Sequence, residues 1–100
     1  MSFSASSKNI RFEYPYLKAE CLNKNGAYVY SELDLNKGIG NHNGVLKWDH
    51  NGNFTMTCDQ IFLQGTVLRC KARTPNNQLI ESYINLDEKV ENSNGQLKFK

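Results

Sequence analysis

The side chains in this chain that could perform catalysis are its histidines, aspartates and cysteines, because these groups transfer protons, bind metals or act as nucleophiles. His42 and His50 have aspartates nearby in sequence, but no metal-ligand spacing, nucleophile elbow or glycine-rich phosphate loop is present. Cys21 could be paired with a histidine as a nucleophile, yet a cysteine in an alternating apolar pattern is more often a small buried hydrophobe. We therefore expect no enzyme activity, no metal site and no cofactor.

The elements that carry these residues follow one pattern written twice, with an offset of 51 positions. Residues 3–10 (FSASSKNI) align with residues 54–61 (FTMTCDQI), and residues 31–48 align with residues 82–99. The repeats span about 1–50 and about 51–100. Because a unit this short buries too little apolar surface to be stable alone, we expect one intertwined domain over residues 1–100.

The apolar residues alternate in the manner of β-strands, as in Leu17, Ala19 and Cys21 of the first repeat. Asn-Gly pairs at 25–26, 43–44 and 94–95 stand between such runs and are typical of tight hairpin turns. Each repeat is thus predicted to form a three-stranded sheet and a β-hairpin. This pattern predicts an all-β fold.

Three short segments complete the predicted organisation. Residues 36–39 and 87–90 follow a strand and suit single helical turns. Residues 49–53 are wholly polar and join the repeats, so we interpret them as the hinge.

The composition limits the classes of partner. Hydrophobic residues make up 39% of the chain, and the net charge of +2 is too small for electrostatic capture of nucleic acid or membrane. No secretory signal or transmembrane span is visible, so a cytoplasmic location is expected, with unconventional secretion as the alternative. Binding is therefore expected to depend on local contacts.

The three cysteines allow at most one intramolecular disulfide. Cys58 and Cys70 share one repeat, whereas the partner that symmetry assigns to Cys21 is Ser7, the equivalent of Cys58. We expect one optional disulfide between Cys58 and Cys70 and one free thiol. If the two face each other across a hairpin, the disulfide would add about 3 kcal/mol of stability in the chain-entropy model.

The doubled frame resembles the cyanovirin-N homologue (CVNH) family over essentially the whole chain. The resemblance implies a cyanovirin-N-like fold, in which the two repeats intertwine into pseudo-domain A, about 1–37 plus 89–100, and pseudo-domain B, about 38–88. It also places Cys58 and Cys70 where the family carries the disulfide of its second repeat. The residues that carry the resemblance are Leu33, Asp34, Leu35, Asn36, Ile39, Asn41, Asn43, Gly44, Leu46, Lys47 and Trp48, and again Ile84, Asn85, Leu86, Asp87, Val90, Asn92, Asn94, Gly95, Leu97, Lys98 and Phe99.

Resemblance to this family implies a lectin with one sugar site in each pseudo-domain. Site A would consist of Ser2, Phe3, Ala5, Ser6, Leu22, Lys24, Asn92, Ser93 and Asn94. Site B would consist of Asn41, His42, Asn43, Asn53, Met56, Thr57, Lys71, Ala72 and Arg73.

Site B is expected to dominate, because its asparagines and Arg73 offer many hydrogen-bond donors with little bulk. Site A departs from the family pattern at Leu22 and Lys24, so it is expected to bind more weakly. Site B departs at Gly40 and Met56, where acids are common in the family, and this removes acceptors.

The expected ligands are oligomannose glycans with terminal α1,2-linked mannose, bound by a chain that is mostly monomeric, with a domain-swapped dimer as the alternative. A second interpretation is a protein-interaction module that keeps the fold and has lost or changed its sugar binding, because fold alone does not specify function.

Overall fold

The computed structural model describes residues 3–100, which form ten strands in four antiparallel sheets. The prediction of an all-β fold is confirmed. The strands are β1 (Ser7–Glu13), β2 (Tyr16–Leu22), β3 (Tyr28–Asp34), β4 (Ile39–His42), β5 (Val45–Trp48), β6 (Cys58–Gln64), β7 (Val67–Arg73), β8 (Leu79–Asn85), β9 (Val90–Ser93) and β10 (Gln96–Phe99).

The chain divides into two compact units, each of which combines parts of both repeats. The first unit contains the chain through Asp34 together with Leu86–Lys100, and the second unit is Leu35–Asn85. The first unit therefore holds the β1–β2–β3 sheet and the β9–β10 hairpin, and the second holds the β6–β7–β8 sheet and the β4–β5 hairpin.

Strand alternation builds the core of each unit. In β2 and β7 every second side chain is buried, as the apolar pattern predicted. A buried serine then joins the hairpin to the sheet in each unit. The hydroxyl of Ser31 accepts a hydrogen bond from the Leu97 N–H at 3.0 Å, and the hydroxyl of Ser82 accepts one from the Leu46 N–H at 2.9 Å.

Four 3₁₀ turns connect the strands, and two of them begin one residue before the predicted helical turns. These two are Leu35–Lys37 and Leu86–Glu88, which begin at fully buried leucines. The other two, Phe3–Ser6 and Phe54–Met56, were not predicted, because three or four residues are too few for a hydrophobic period to be visible. No helix among residues 3–100 is long and apolar enough to cross a membrane.

Two of the three Asn-Gly pairs form two-residue hairpin turns between paired strands, whereas Asn25-Gly26 lies in the longer loop between β2 and β3, with positive φ at Gly26 alone. Asn43 and Gly44 both have positive φ, at 57° and 96°, and Asn94 and Gly95 follow them at 51° and 92°. This is the backbone of a two-residue type I′ turn, which matches the twist of the flanking strands.

The predicted hinge at residues 49–53 lies wholly within the second unit. Its backbone is held by hydrogen bonds from Asn51 N to Lys37 O and from Asn53 N to Asn36 O, both 2.9 Å. A Cβ on Gly52 would lie 2.6 Å from the backbone of Gly40, so this segment is closely packed. The hinge interpretation stays a prediction, and the chain passes between the two compact units at residues 34–35 and 85–86.

All three cysteines are free, so the optional disulfide between Cys58 and Cys70 is not formed in the structure. Cys58 pairs directly with Ala72, so Cys70 lies two residues away along β7. The two thiols interact with each other. This contact lowers the pKa of Cys58, and the contact together with burial raises the pKa of Cys70.

Candidate functional site

Asn41 connects the β4–β5 turn to Thr57, the residue before β6, and to Arg73 at the end of β7. Its amide nitrogen donates to Thr57 Oγ1 at 3.0 Å and to the Arg73 carbonyl oxygen at 2.9 Å, while its amide oxygen accepts from Gly44 N at 2.8 Å. Both ends of the side chain are thus engaged within the protein. The geometry gives Asn41 a positioning role, in which it fixes the other predicted residues of site B.

Asn92 makes the equivalent contacts in the first unit. Its amide nitrogen donates to Ser6 Oγ at 2.9 Å and to the Leu22 carbonyl oxygen at 2.9 Å, and its amide oxygen accepts from Gly95 N at 2.8 Å. Equivalent hydrogen bonds therefore bring together three predicted residues of site A, namely Ser6, Leu22 and Asn92.

The tips of the two hairpin turns differ. The side-chain oxygen of Asn94 accepts a hydrogen bond from Lys24 N at 2.8 Å. Pro75 stands at the position equivalent to Lys24 and has no N–H to donate. Within the described chain, the exposed side chain of Asn43 has no hydrogen-bond partner, so it presents a whole amide to solvent.

Arg73, whose backbone carbonyl accepts from Asn41, has its guanidinium group held from two sides. Its Nη1 donates to Asn77 Oδ1 at 2.9 Å, and its Nη2 lies 3.8 Å from Asp59 Oδ2. A guanidinium has five N–H donors, so further donors are available to a ligand. The backbone N–H of Arg73 also donates to the Thr57 carbonyl oxygen at 2.9 Å, which keeps the exposed Thr57 next to it.

Asp49 and Asp59 were not predicted as site residues. The Asp49 carboxylate lies 2.9 Å from Nε2 of the predicted residue His42, and a Cβ on Gly40 would be 2.8 Å from it. It therefore occupies the space next to Gly40, where the family pattern commonly has an acid. Asp59 lies opposite Lys71 across the β6–β7 pair. The identification of Asp59 therefore depends on the strand register.

Several predicted residues lie away from any ligand-accessible rim. Phe3 and Ala72 have no exposed surface and lie in the core. Lys71 faces outward from the sheet and lines a depression with Phe62 and Tyr83. Ser2 lies outside the described residues.

The remaining predicted residues are accessible to a ligand. Met56 is 80% exposed beside the second site, and Asn53 has a left-handed φ of 52°. In site A, Ala5 and Lys24 are exposed and Ser93 is half-buried. Within residues 3–100, no group of three or more histidine, cysteine or acidic side chains is placed to hold a metal ion.

Comparison with known proteins finds relatives over nearly the whole chain. The CVNH domain model matches residues 3–98. A Cyanovirin-N homolog from Tuber borchii is 38% identical, with 99% of each chain covered.

Two solved structures with bound sugars share the fold. The MoCVNH3 variant Mo0v in complex with (N-GlcNAc)4 has a TM-score of 0.94 at 25% identity, with 98% of this chain and 96% of that chain covered. The microvirin–mannobiose complex has a TM-score of 0.86 at 28% identity, with 99% and 98% covered. With its doubled frame and two repeat-spanning units, the chain belongs to the CVNH domain family and is a cyanovirin-N homologue.

Proposed function

We propose that the protein is a non-catalytic lectin that binds mannose-containing glycans, with terminal α1,2-linked mannose preferred. Support comes from the family and from two structural neighbours, a complex of microvirin with mannobiose and a complex of a MoCVNH3 variant with (N-GlcNAc)4. The turn of the second unit, with Asn43, Thr57 and Arg73, is proposed as the dominant site.

The observation that carries this proposal is the unengaged amide of Asn43 on a turn that Asn41 holds in place. An amide offers two donors and an acceptor, which match the adjacent hydroxyls of a sugar ring. Because the turn is already anchored to the strands that carry Thr57 and Arg73, little conformational freedom is lost on binding.

The corresponding turn of the first unit is proposed as a weaker site. Asn94 is already engaged by the backbone of Lys24, so its amide oxygen has one fewer vacant direction for a ligand. Leu22 supplies a carbonyl oxygen to Asn92 and no polar side chain. The same backbone frame therefore offers fewer hydrogen-bonding groups than in the second unit.

Single-site affinity should be modest. Each hydrogen bond to a sugar hydroxyl contributes about 1 kcal/mol net, since both partners give up bonds to water. Branched glycans that reach both sites would be held more tightly through their high effective concentration at the second site.

The test is an NMR titration of isotope-labelled protein with α1,2-linked dimannose, with glucose and galactose disaccharides as comparisons. We expect saturable shifts at the side-chain amide of Asn43 and the backbone of Thr57 and Arg73, and weaker shifts around Asn94. Shifts at neither turn with any sugar would contradict the proposal and favour the protein-interaction module.

A further inference from the structure

The outer face of the β6–β7–β8 sheet carries a second feature that the site at the Asn43 turn does not use. A depression of about 250 Å³ lies on this face. Pockets for drug-sized ligands measure about 300–1,000 Å³, so this one suits a ligand with a single ring. We propose that it binds one neutral pyranose residue of a glycan, as a site separate from the Asn43 turn.

The first argument is a row of three side chains across the sheet. Phe62 in β6 pairs with Arg69 in β7, and Arg69 pairs with Tyr83 in β8. The two rings are 52% and 65% exposed. The Arg69 guanidinium carbon lies 5.3 Å from the Tyr83 ring centroid, and its Nε donates to Gln64 Oε1 at 2.7 Å. Arg69 thus lies over one face of the Tyr83 ring, and the remaining exposed surface of Tyr83 and Phe62 is available for the C–H face of a pyranose to stack on.

The second argument is a set of unengaged polar groups in the adjoining row. Lys71 and Glu81 are directly paired across β7 and β8, and Gln60 stands at a β-bulge with φ 53°. Within residues 3–100, none of these three side chains forms a hydrogen bond or ion pair. A bulge turns a side chain out of the regular strand alternation, and here Gln60 lines the depression.

The charged and neutral polar side chains of the depression determine which class of ligand it can bind. An anion placed here would face the Glu81 carboxylate, and a wholly apolar ligand would remove Lys71 and Glu81 from water without partners. Sugar hydroxyls both donate and accept, so they can satisfy the carboxylate, the ammonium and the amide together. A neutral pyranose can therefore stack on the aromatic side chains and form hydrogen bonds with the adjoining polar side chains.

At the equivalent positions of the first repeat, the polar side chains are already hydrogen bonded within the protein. Asn9, the equivalent of Gln60, donates to Glu20 Oε2 at 2.6 Å, and Tyr30 donates to Glu32 Oε1 at 2.9 Å. Glu20 is the equivalent of Lys71 and Glu32 is the equivalent of Tyr83. The contrast indicates that the second unit has residues which leave this face open to a ligand.

The experiment titrates the full chain, labelled on backbone amides and aromatic rings, with methyl α-mannopyranoside and with N-acetylglucosamine. We expect saturable shifts at Phe62, Tyr83 and Gln60 with at least one of these sugars. Tyr83→Thr keeps β-propensity and should weaken the interaction about ten-fold, because stacking is lost. Tyr30→Thr, at an exposed tyrosine on the first unit, is the matched control and should leave it unchanged.

Asn43→Gly separates this proposal from the lectin site at the turn. The shifts at Phe62 and Tyr83 should survive Asn43→Gly, whereas those at Thr57 should weaken. Absence of saturable shifts on the sheet face with both sugars would overturn this proposal, even if the turn still binds dimannose. Equal weakening in the Tyr30→Thr and Tyr83→Thr proteins would also overturn it.

Discussion

The backbone N–H of Lys24 donates a 2.8 Å hydrogen bond to the side-chain oxygen of Asn94. Pro75 occupies the equivalent place in the second unit and cannot donate to Asn43. The two turns have the same backbone conformation, but their asparagine side chains have different roles. One asparagine stabilises its own unit, and the other is left available to a ligand.

Replacing each turn asparagine by glycine should separate these tasks, because glycine accepts the positive φ of both positions. Asn94→Gly should lower the free energy of unfolding by about 0.5–1.5 kcal/mol, the value of one hydrogen bond. Asn43→Gly should leave stability nearly unchanged and weaken dimannose binding about five- to ten-fold. Urea denaturation and calorimetric titration measure the two effects. Equal losses of stability in both variants would contradict this assignment.

Asn41→Ala should reduce both stability and binding, because three groups lose a partner. We expect the free energy of unfolding to fall by about 1–3 kcal/mol. Asn43→Gly is the control with intact anchoring. If Asn41→Ala abolished binding with no change in the urea midpoint, Asn41 would be a direct ligand of the sugar.

Ser7→Cys should create a disulfide that the wild-type chain lacks. Ser7 pairs directly with Cys21, and its hydroxyl lies 3.4 Å from the Cys21 sulfur. Closing the loop from residue 7 to residue 21 should add about 3 kcal/mol of stability in the chain-entropy model. Thiol titration and thermal unfolding, with and without reductant, check this result. The wild-type protein treated with the same oxidant is the control, and a variant that kept four titratable thiols, where two are expected, would contradict the register.

Glu13 should show a pH effect confined to acid. The hydrogen bond and charge of Lys18, whose Nζ lies 2.9 Å away, hold the pKa of the Glu13 carboxyl below its usual value. A lowered folded-state pKa contributes stability above the unfolded-state pKa, and this contribution is lost as the pH falls through the folded-state pKa. NMR titration of the Glu13 carboxyl should show its pKa rising in Lys18→Gln. No rise would contradict the pairing. The effect on stability should be small because both groups are exposed.

Much of the fold followed from patterns that act locally. Alternation placed Leu17 and Ala19 in the core, and two Asn-Gly pairs marked tight turns, because strand period and positive φ depend on neighbouring residues alone. The turns at Phe3 and Phe54 were missed, since their only strong signal is one buried ring in a short segment.

The disulfide and the site depended on contacts between distant segments. Cys58 and Cys70 were expected as an optional pair from repeat membership; the register pairs Cys58 with Ala72, and the two buried thiols interact while both remain free. Lys71 looked like a turn ligand by position, but strand alternation turns it to the outer face of the sheet.

By itself the sequence determined the doubled frame, the all-β class, the family and the set of polar residues near each turn. The doubled frame and the all-β class depend on period and spacing along the chain, whereas the family and the residues near each turn followed from resemblance of the motifs. Only the tertiary structure decided which amides are engaged: those of Asn41 and Asn92 in anchoring their turns, that of Asn94 by Lys24, and not that of Asn43. The reason is that a hydrogen bond depends on where two distant backbones meet, and neither residue type nor spacing encodes that distance.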